Sequence, residues 1–212
     1  MHPEVLSDCG RELVGELPVE LFEQGFHLAG GTGLALQLGH RRSDDFDFFA
    51  ATGFDVPGLA RRLSELEGYE PASAGRDTLH CRVRGVKLSF ISYPVRLRWP
   101  TVGFGPVPVA DWRDVLAEKF KTVSQRGSRK DFYDIHACCI LKRLTPASAV
   151  AHLRARFAGT GLNLYHVARS LAWFEDADVE PDPVLLVPAA WDEVKRFFRE
   201  QLSGFEAALL SP

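Results

Sequence analysis

With 212 residues and 46% hydrophobic content, the chain can bury one sizeable core, or one domain with a helical appendage. A net charge of −3 and a pI near 6.2 exclude a generally basic nucleic-acid coat, so any nucleic-acid surface has to be a local patch. No apolar run approaches the ~20 residues that span a bilayer, and no apolar leader opens the chain. The four cysteines, Cys9, Cys81, Cys138 and Cys139, form no Cys-x-x-Cys pair. Reduced, buried thiols in a cytoplasmic protein are therefore expected.

Residues 3–17 carry Val5, Leu6, Leu13 and Leu17 among charges and read as an amphipathic helix weakened by Gly10 and Gly15. Phe26-His27-Leu28-Ala29 reads as a short buried strand. Gly30-Gly31 then permits a sharp turn and a close approach of backbone to ligand. Thr32 suits the N-cap of a helix ending at Gly39. A helix N-terminus after a glycine turn offers free N–H groups and a positive dipole end, which suits phosphate. After the basic turn His40-Arg41-Arg42-Ser43 comes a second strand, Asp45-Phe46-Asp47-Phe48. Strand alternation puts Asp45 and Asp47 on one face and the two phenylalanines on the other. Carboxylates at i and i+2 lie about 6.6 Å apart along a strand. That spacing can serve two Mg²⁺ ions roughly 3.5–4 Å apart, bridged by carboxylate and phosphate oxygens.

Asp55 caps a helix carrying Leu59, Leu63 and Leu66, ended by Gly68. Residues 70–76 read as a loop. Residues 79–84 and 86–91 alternate on either side of Gly85 and read as an antiparallel hairpin beside the Asp45 strand. Residues 94–108 are irregular, with a short strand at 107–109. Asp111, with Asp114, caps a long helix whose core stripe is Leu116, Phe120 and Val123. Lys119 lies beside that stripe, so Lys119→Ala is expected to cost little stability. Ser128 caps the next helix with Asp131 in capping-box position, and Lys130 and Asp134 are spaced to pair. Those local roles compete with one in which Asp131 or Asp134 faces a site and orients Lys119 or Arg126. Thr145-Pro146 starts another helix, residues 162–174 a further one, and residues 191–202 a last one. His136, His152 and His166 show no metal spacing and read as packing or surface residues.

The stretch HLAGGTGLALQLGHRRSDDFDFF resembles the first motif of the AbiEii/AbiGii toxin group of nucleotidyltransferases, within the polymerase-beta-like superfamily. A second stretch, EKFKTVSQRGSRKDFYDI, resembles the group's later motif at the expected distance. The resemblance covers roughly residues 20–140. It implies an α+β fold: a small mixed β-sheet core with flanking helices over residues 1–110, and a C-terminal helical bundle over 111–212 completing a cleft. It implies Mg²⁺- or Mn²⁺-dependent transfer of a nucleotidyl group from an NTP to an acceptor hydroxyl, with RNA or tRNA among the acceptors. A cognate antitoxin and a role in a toxin–antitoxin or phage-defence pair are also implied. Asp45 and Asp47 would hold metal. Lys119, Asp131 and Asp134 would join them in catalysis. Gly30, Gly31, Thr32, Arg42, Ser43, Arg126 and Lys130 would bind the nucleotide. The superfamily's third acidic residue, expected on a neighbouring strand, is replaced by Ser89. That departure favours a second reading, a catalytically weakened NTP- or RNA-binding module. A glycosyltransferase using Asp-x-Asp fits less well, because it leaves residues 119–134 unexplained.

Overall fold

The computed structural model describes residues 1–211. The chain divides into two compact units, residues 1–111 and the segment from Trp112 onward.

The first unit contains α1 (Asp8–Glu16), α2 (Glu20–Glu23), β1 (His27–Leu28), α3 (Gly30–Leu38), β2 (Phe46–Ala50), α4 (Val56–Leu63), β3 (Tyr69–Ala74), β4 (Thr78–Val83), β5 (Val86–Ser92), β6 (Val102–Phe104) and β7 (Val107–Val109). Its strands form one seven-stranded mixed sheet in the order β3-β4-β5-β2-β1-β7-β6. The β4–β5 hairpin closes on Arg84 and Gly85, both at positive φ (50° and 80°). That conformation fits the twist of paired strands. Most of the loop expected at 70–76 belongs instead to the edge strand β3, Tyr69–Ala74. Its exposed Ser, Ala and Pro residues give no hydrophobic alternation, and a register shift between Pro71 and Ser73 accommodates the proline at the edge. The expected helix at 3–17 is divided: a 3₁₀ turn over Pro3–Val5 precedes α1, whose cap is Ser7 Oγ accepting from Gly10 N–H at 3.1 Å.

Alternation along β2 sorts the sheet into two chemically different faces. Phe46 and Phe48 are buried and register with Leu88 and Phe90 of β5, which in turn face Cys81 and Leu79 of β4. Phe48 stacks on Phe90 at 5.1 Å between centroids, and Phe26 meets Phe90 edge-on at 5.4 Å. Leu13 and Val14 of α1, Leu21 of α2, and Leu59 and Leu63 of α4 belong to the same core. On the opposite face Asp47, Ser89 and His80 stand side by side on β2, β5 and β4.

The second unit is helical: α5 (Trp112–Arg126), α6 (Arg129–Leu141), α7 (Pro146–Arg156), α8 (Leu164–Ser170), α9 (Glu175–Asp178) and α10 (Trp191–Leu210). Helix α10 runs eight residues beyond the expected end at 202, because Phe205 and Leu209 continue its buried face. Its core is aromatic. Phe132 of α6 meets Phe198 of α10 edge-on at 5.2 Å, and Phe120 of α5 meets Phe205 at 5.8 Å. All four cysteines are free thiols; Cys81, Cys138 and Cys139 are buried, whereas Cys9 is exposed on α1, against expectation. Burial pushes the Cys81 thiol up to about 11 and Cys139 up to about 12, so both are inert at neutral pH. Among the described residues, no helix is long and apolar enough to cross a membrane.

Phe90 has no exposed surface and contacts two other rings. Phe90→Ala should lower unfolding free energy by about 3–5 kcal/mol, measured by urea denaturation. A loss below about 1 kcal/mol would mean that the core on this face collapses around the cavity.

Candidate active site

The glycine turn sits where β1 runs into α3. Ala29 N–H donates to the Asp47 carbonyl at 2.9 Å, pairing the end of β1 with β2. Gly30 takes φ +60°, in the left-handed region, and opens α3 without a side-chain cap. The first N–H groups of α3 therefore lack intrahelical partners. Thr32 is not the N-cap expected from sequence but the third residue of the helix, in its first turn, 1% exposed. Its hydroxyl donates to the Asp45 carbonyl at 2.5 Å and lies 2.8 Å from Ser43 Oγ. Thr32 and Ser43 thus fasten the loop that carries Asp45 to the helix that carries the glycines.

Side chains lie close over both glycines. A Cβ on Gly30 would fall 2.7 Å from Asp47 Oδ2. A Cβ on Gly31 would collide with Arg41 Nη2, with Ser43 Oγ a further 3.5 Å neighbour. A carboxylate and a guanidinium therefore rest directly on successive glycines. The cation is Arg41, 3% exposed, with Nη1 donating to the Arg42 carbonyl at 3.1 Å. Arg42, chosen from sequence, is exposed to solvent. Adjacent arginines in a turn look alike in sequence, and only the fold decides which one turns inward. Asp44 is engaged elsewhere, accepting from Ser7 N–H at 2.6 Å and so pinning the N-terminal segment.

Asp47 is half-buried and Asp45 exposed, on the same face of the extended segment. Ser89 is in direct register with Asp47 on the parallel neighbour β5 and is 2% exposed. His80 of β4 registers with Ser89, and its Nδ1 is buried without a hydrogen-bond partner among the described residues. Sequence reading passed over His80, since a lone histidine in an alternating strand carries no signal until the neighbouring strands are aligned.

The second motif builds a different constellation within the helical unit. Lys119 of α5 is 6% exposed, and Asp131 and Asp134 of α6 are fully buried. Lys119 Nζ lies 2.6 Å from Asp131 Oδ1 and 2.6 Å from Asp134 Oδ2. Arg126 Nε donates to Asp131 Oδ2 at 3.0 Å and its Nη2 to Asp131 Oδ1 at 3.3 Å, while the side chain as a whole stays 63% exposed. Two cations and two carboxylates make a balanced network. Burial alone would raise the Asp131 pKa, but the Lys119 charge and the Arg126 hydrogen bond prevail and hold its carboxyl below the usual range.

Several local expectations are overturned here. Lys119 is a buried member of the network, not a solvated residue beside a core stripe. Asp134 pairs with Lys119 rather than with exposed Lys130. Ser128 and Asp131 make no capping box: Glu180 Oε2 accepts from both Ser128 Oγ and Arg129 N–H at 2.8 Å and caps α6 from a distant segment. Asp114 also accepts from Arg156 Nη1 of α7 at 2.7 Å, and Glu118 accepts from the same guanidinium, which makes a second ion network.

A family model described as nucleotidyl transferase AbiEii toxin, type IV TA system, matches residues 11–88 and 81–210. The chain belongs to the AbiEii nucleotidyltransferase toxin family. The Aquifex aeolicus (strain VF5) protein aq_aa25 is 30% identical over 195 residues, covering 85% of this chain and 87% of that protein. JHP933 from Helicobacter pylori superposes with a TM-score of 0.52 at 13% identity, covering 95% of each chain. ANT(2")-Ia, solved with adenylyl-2"-tobramycin, gives a TM-score of 0.52 at 15% identity over 72% of this chain and 100% of that one. At such identities the likeness to the two solved structures is one of fold.

Removing the ammonium leaves two buried carboxylates with one guanidinium. Lys119→Ala should therefore cost about 3–5 kcal/mol at pH 7, far more than a surface change. The Asp131 pKa is depressed in the folded wild type. Its contribution is complete above the unfolded value of about 3.9 and is lost as pH falls through the folded one. In the variant the carboxylates lose that support and bind protons more readily, so the stability deficit should shrink between pH 7 and pH 4. Urea titrations across that range measure it, and a deficit near zero at pH 7 would remove the network from the stability account.

Proposed function

We propose that the protein transfers a nucleotidyl group from an NTP to an acceptor hydroxyl, with a divalent cation held by Asp45 and Asp47. The observation that carries this reading is the Asp47 carboxylate resting on a glycine turn that opens a helix, with the Asp45 backbone fastened to the same helix by Thr32. The donor set suits Mg²⁺. Among the described residues no cluster of three or more His, Cys, Asp or Glu could cage a metal. Magnesium characteristically takes one or two carboxylates and leaves its remaining positions to substrate phosphates and water. Mn²⁺ would fit the same oxygen donors. When bound, the cation would neutralise phosphate oxygens and activate the attacking hydroxyl.

The chain's own groups would do the rest. The N–H groups of Gly31 and Thr32 would receive the triphosphate at the positive end of α3. Arg41, resting on Gly31, would offset the charge there. The Thr32 and Ser43 hydroxyls would hold the Asp45 loop in register with the helix, a preorganising role. In the helical unit Arg126 is the solvent-facing member of the network and the one suited to neutralise phosphate. Lys119, Asp131 and Asp134 would fix its orientation, and exposed Lys130 adds charge nearby in sequence. RNA or tRNA as the acceptor, a cognate antitoxin, a toxin–antitoxin role and a cytoplasmic setting follow from family membership as parts of the same proposal. The second reading, a weakened NTP- or RNA-binding module, is favoured by Ser89 in register with Asp47, where a third carboxylate would strengthen metal binding.

Incubation with labelled NTPs and total RNA, monitoring pyrophosphate, tests the activity. Release should require Mg²⁺ or Mn²⁺ and fall by at least 10²-fold in Asp47→Asn, the scale expected when a preorganised electrostatic group is lost. NTP binding without release by the wild type would favour the weakened module.

Ser89→Asp adds a second carboxylate directly opposite Asp47. Like charges facing across strands destabilise, so Tm without metal should drop. Mg²⁺ should restore more Tm in this variant than in wild type, because a third hard oxygen ligand tightens binding. Equal Mg²⁺-dependent shifts in both proteins would mean that position 89 lies outside the metal's reach.

A further inference from the structure

The polar face of the β4–β5 hairpin carries a group of hydrogen-bond donors that the proposed transfer does not use. Strand alternation puts His80 and Arg82 of β4 on that face together with Ser89 and Lys87 of β5. Arg82 is in direct register with Lys87, and His80 with Ser89, so the four side chains form one block on two neighbouring strands. Arg82 and Lys87 are both exposed. Like charges directly opposite each other across strands destabilise a sheet. Among the described residues neither cation makes an ion pair, although Glu70 of β3 registers with Arg82. Arg82 Nη1 donates to the Gly85 carbonyl at 3.2 Å, which leaves most of the guanidinium fork open. His80 is a second, independent sign. Its ring is half-buried, and its Nδ1 is buried without a hydrogen-bond partner among the described residues. A neutral imidazole carries one hydrogen, and a buried N–H without an acceptor is costly. The hydrogen therefore belongs on Nε2, where a ligand can receive it.

We infer that this block is a binding site for a terminal phosphate dianion, carried on a small molecule or free, whose oxygens receive hydrogen bonds from Arg82, Lys87 and His80. Ser89, 2% exposed, is the small residue between His80 and Asp47 in the row. A terminal phosphate brings close to two negative charges and three acceptor oxygens, which matches two cations and one neutral donor. A phosphate inside a diester linkage has one charge and two free oxygens, and would leave one of the facing cations uncompensated. The guanidinium fork adds the geometric preference for paired oxygens. Sheet order places β5 and β4 on one side of β2, and β1 with its glycine turn on the other. A phosphate bound here is therefore separate from the triphosphate assigned to the start of α3, with Asp47 between the two. The site stands on the geometry of the hairpin, and only its place beside a transfer reaction rests on the proposed function.

The test is isothermal titration calorimetry on the full chain without divalent metal, using inorganic phosphate, ribose 5-phosphate and the diester dimethyl phosphate. Wild type is compared with Arg82→Ala, Lys87→Ala and His80→Phe, each verified as folded by its thermal melt; the first two change exposed residues. Arg82→Ala and Lys87→Ala should each weaken ribose 5-phosphate binding about tenfold, the scale of a charged hydrogen bond, and His80→Phe about fivefold. Dimethyl phosphate should bind about tenfold more weakly than ribose 5-phosphate, since it lacks one charge and one free oxygen. Tighter binding of ribose 5-phosphate than of inorganic phosphate would identify the natural ligand as a phosphorylated molecule, and equal binding would identify it as free phosphate. Unchanged affinity in both Arg82→Ala and Lys87→Ala would overturn the inference, as would dimethyl phosphate binding as tightly as ribose 5-phosphate. Mg²⁺-dependent ATP binding should be unaltered in these two variants; an equal loss there would assign the cations to the triphosphate and remove the separate site. If phosphate binds with this residue dependence but wild type transfers no nucleotidyl group, the transfer reading falls and the site survives. If wild type transfers and phosphate binding ignores the three residues, the site falls alone.

Discussion

One ammonium group governs the helical unit. Lys119 carries its charge into a region that excludes water and is accepted there only because two carboxylates lie 2.6 Å away. The requirement runs in both directions, since Asp131 and Asp134 are fully buried and would be intolerable without cations. Satisfying all of them fixes the rotation of α6 against α5. With residues 131 and 134 turned toward α5, Phe132 is turned toward Phe174, Trp191 and Phe198, which builds the aromatic core. Arg129, one turn earlier, then reaches the Ala177 and Asp178 carbonyls at 2.7 and 2.8 Å and holds the following segment.

The first unit solves a related problem with glycine. Charged groups of opposite sign, Asp47 and Arg41, lie on successive residues of a turn that has no side chains to keep them away. Any Cβ there would displace one of them, and the φ of Gly30 would disfavour it as well. The sheet beneath separates functions by parity. Phe46, Phe48 and Ala50 of β2 belong to the buried core, whereas Asp47 stands on the other face beside Ser89 and His80.

Family membership and geometry therefore meet at different levels. The family model spans nearly the whole chain and identifies nucleotidyl transfer as the class. The geometry distinguishes residues that face solvent from those that hold them in place. Thr32 and Ser43 hold a loop, Lys119 and the two α6 aspartates hold a helix pair, and Arg126 is the member of that set left facing outward.

The sequence by itself determined a good deal. Alternation around Asp45 and Asp47 is a local property of strands, so their shared face was legible without any partner. The same holds for the Ser89 strand, the Gly39 stop, and the caps of Asp55 and Thr145. Spacing also brought Asp131 and Asp134 into one helix near Lys119, but it left their role divided between a local cap and a site. Tertiary structure ruled out the local cap, because burial depends on which helix lies opposite, and a helix records its own periodicity but not its neighbour's. For the same reason Arg41 rather than Arg42 came to rest on the glycine turn, His80 joined Ser89 only once three strands were aligned, and Glu180 replaced the nearby Asp131 as the cap of α6. Each of these depends on contacts between residues distant in the chain, whose pairing is set by the packing of whole elements and leaves no periodic trace in either segment alone.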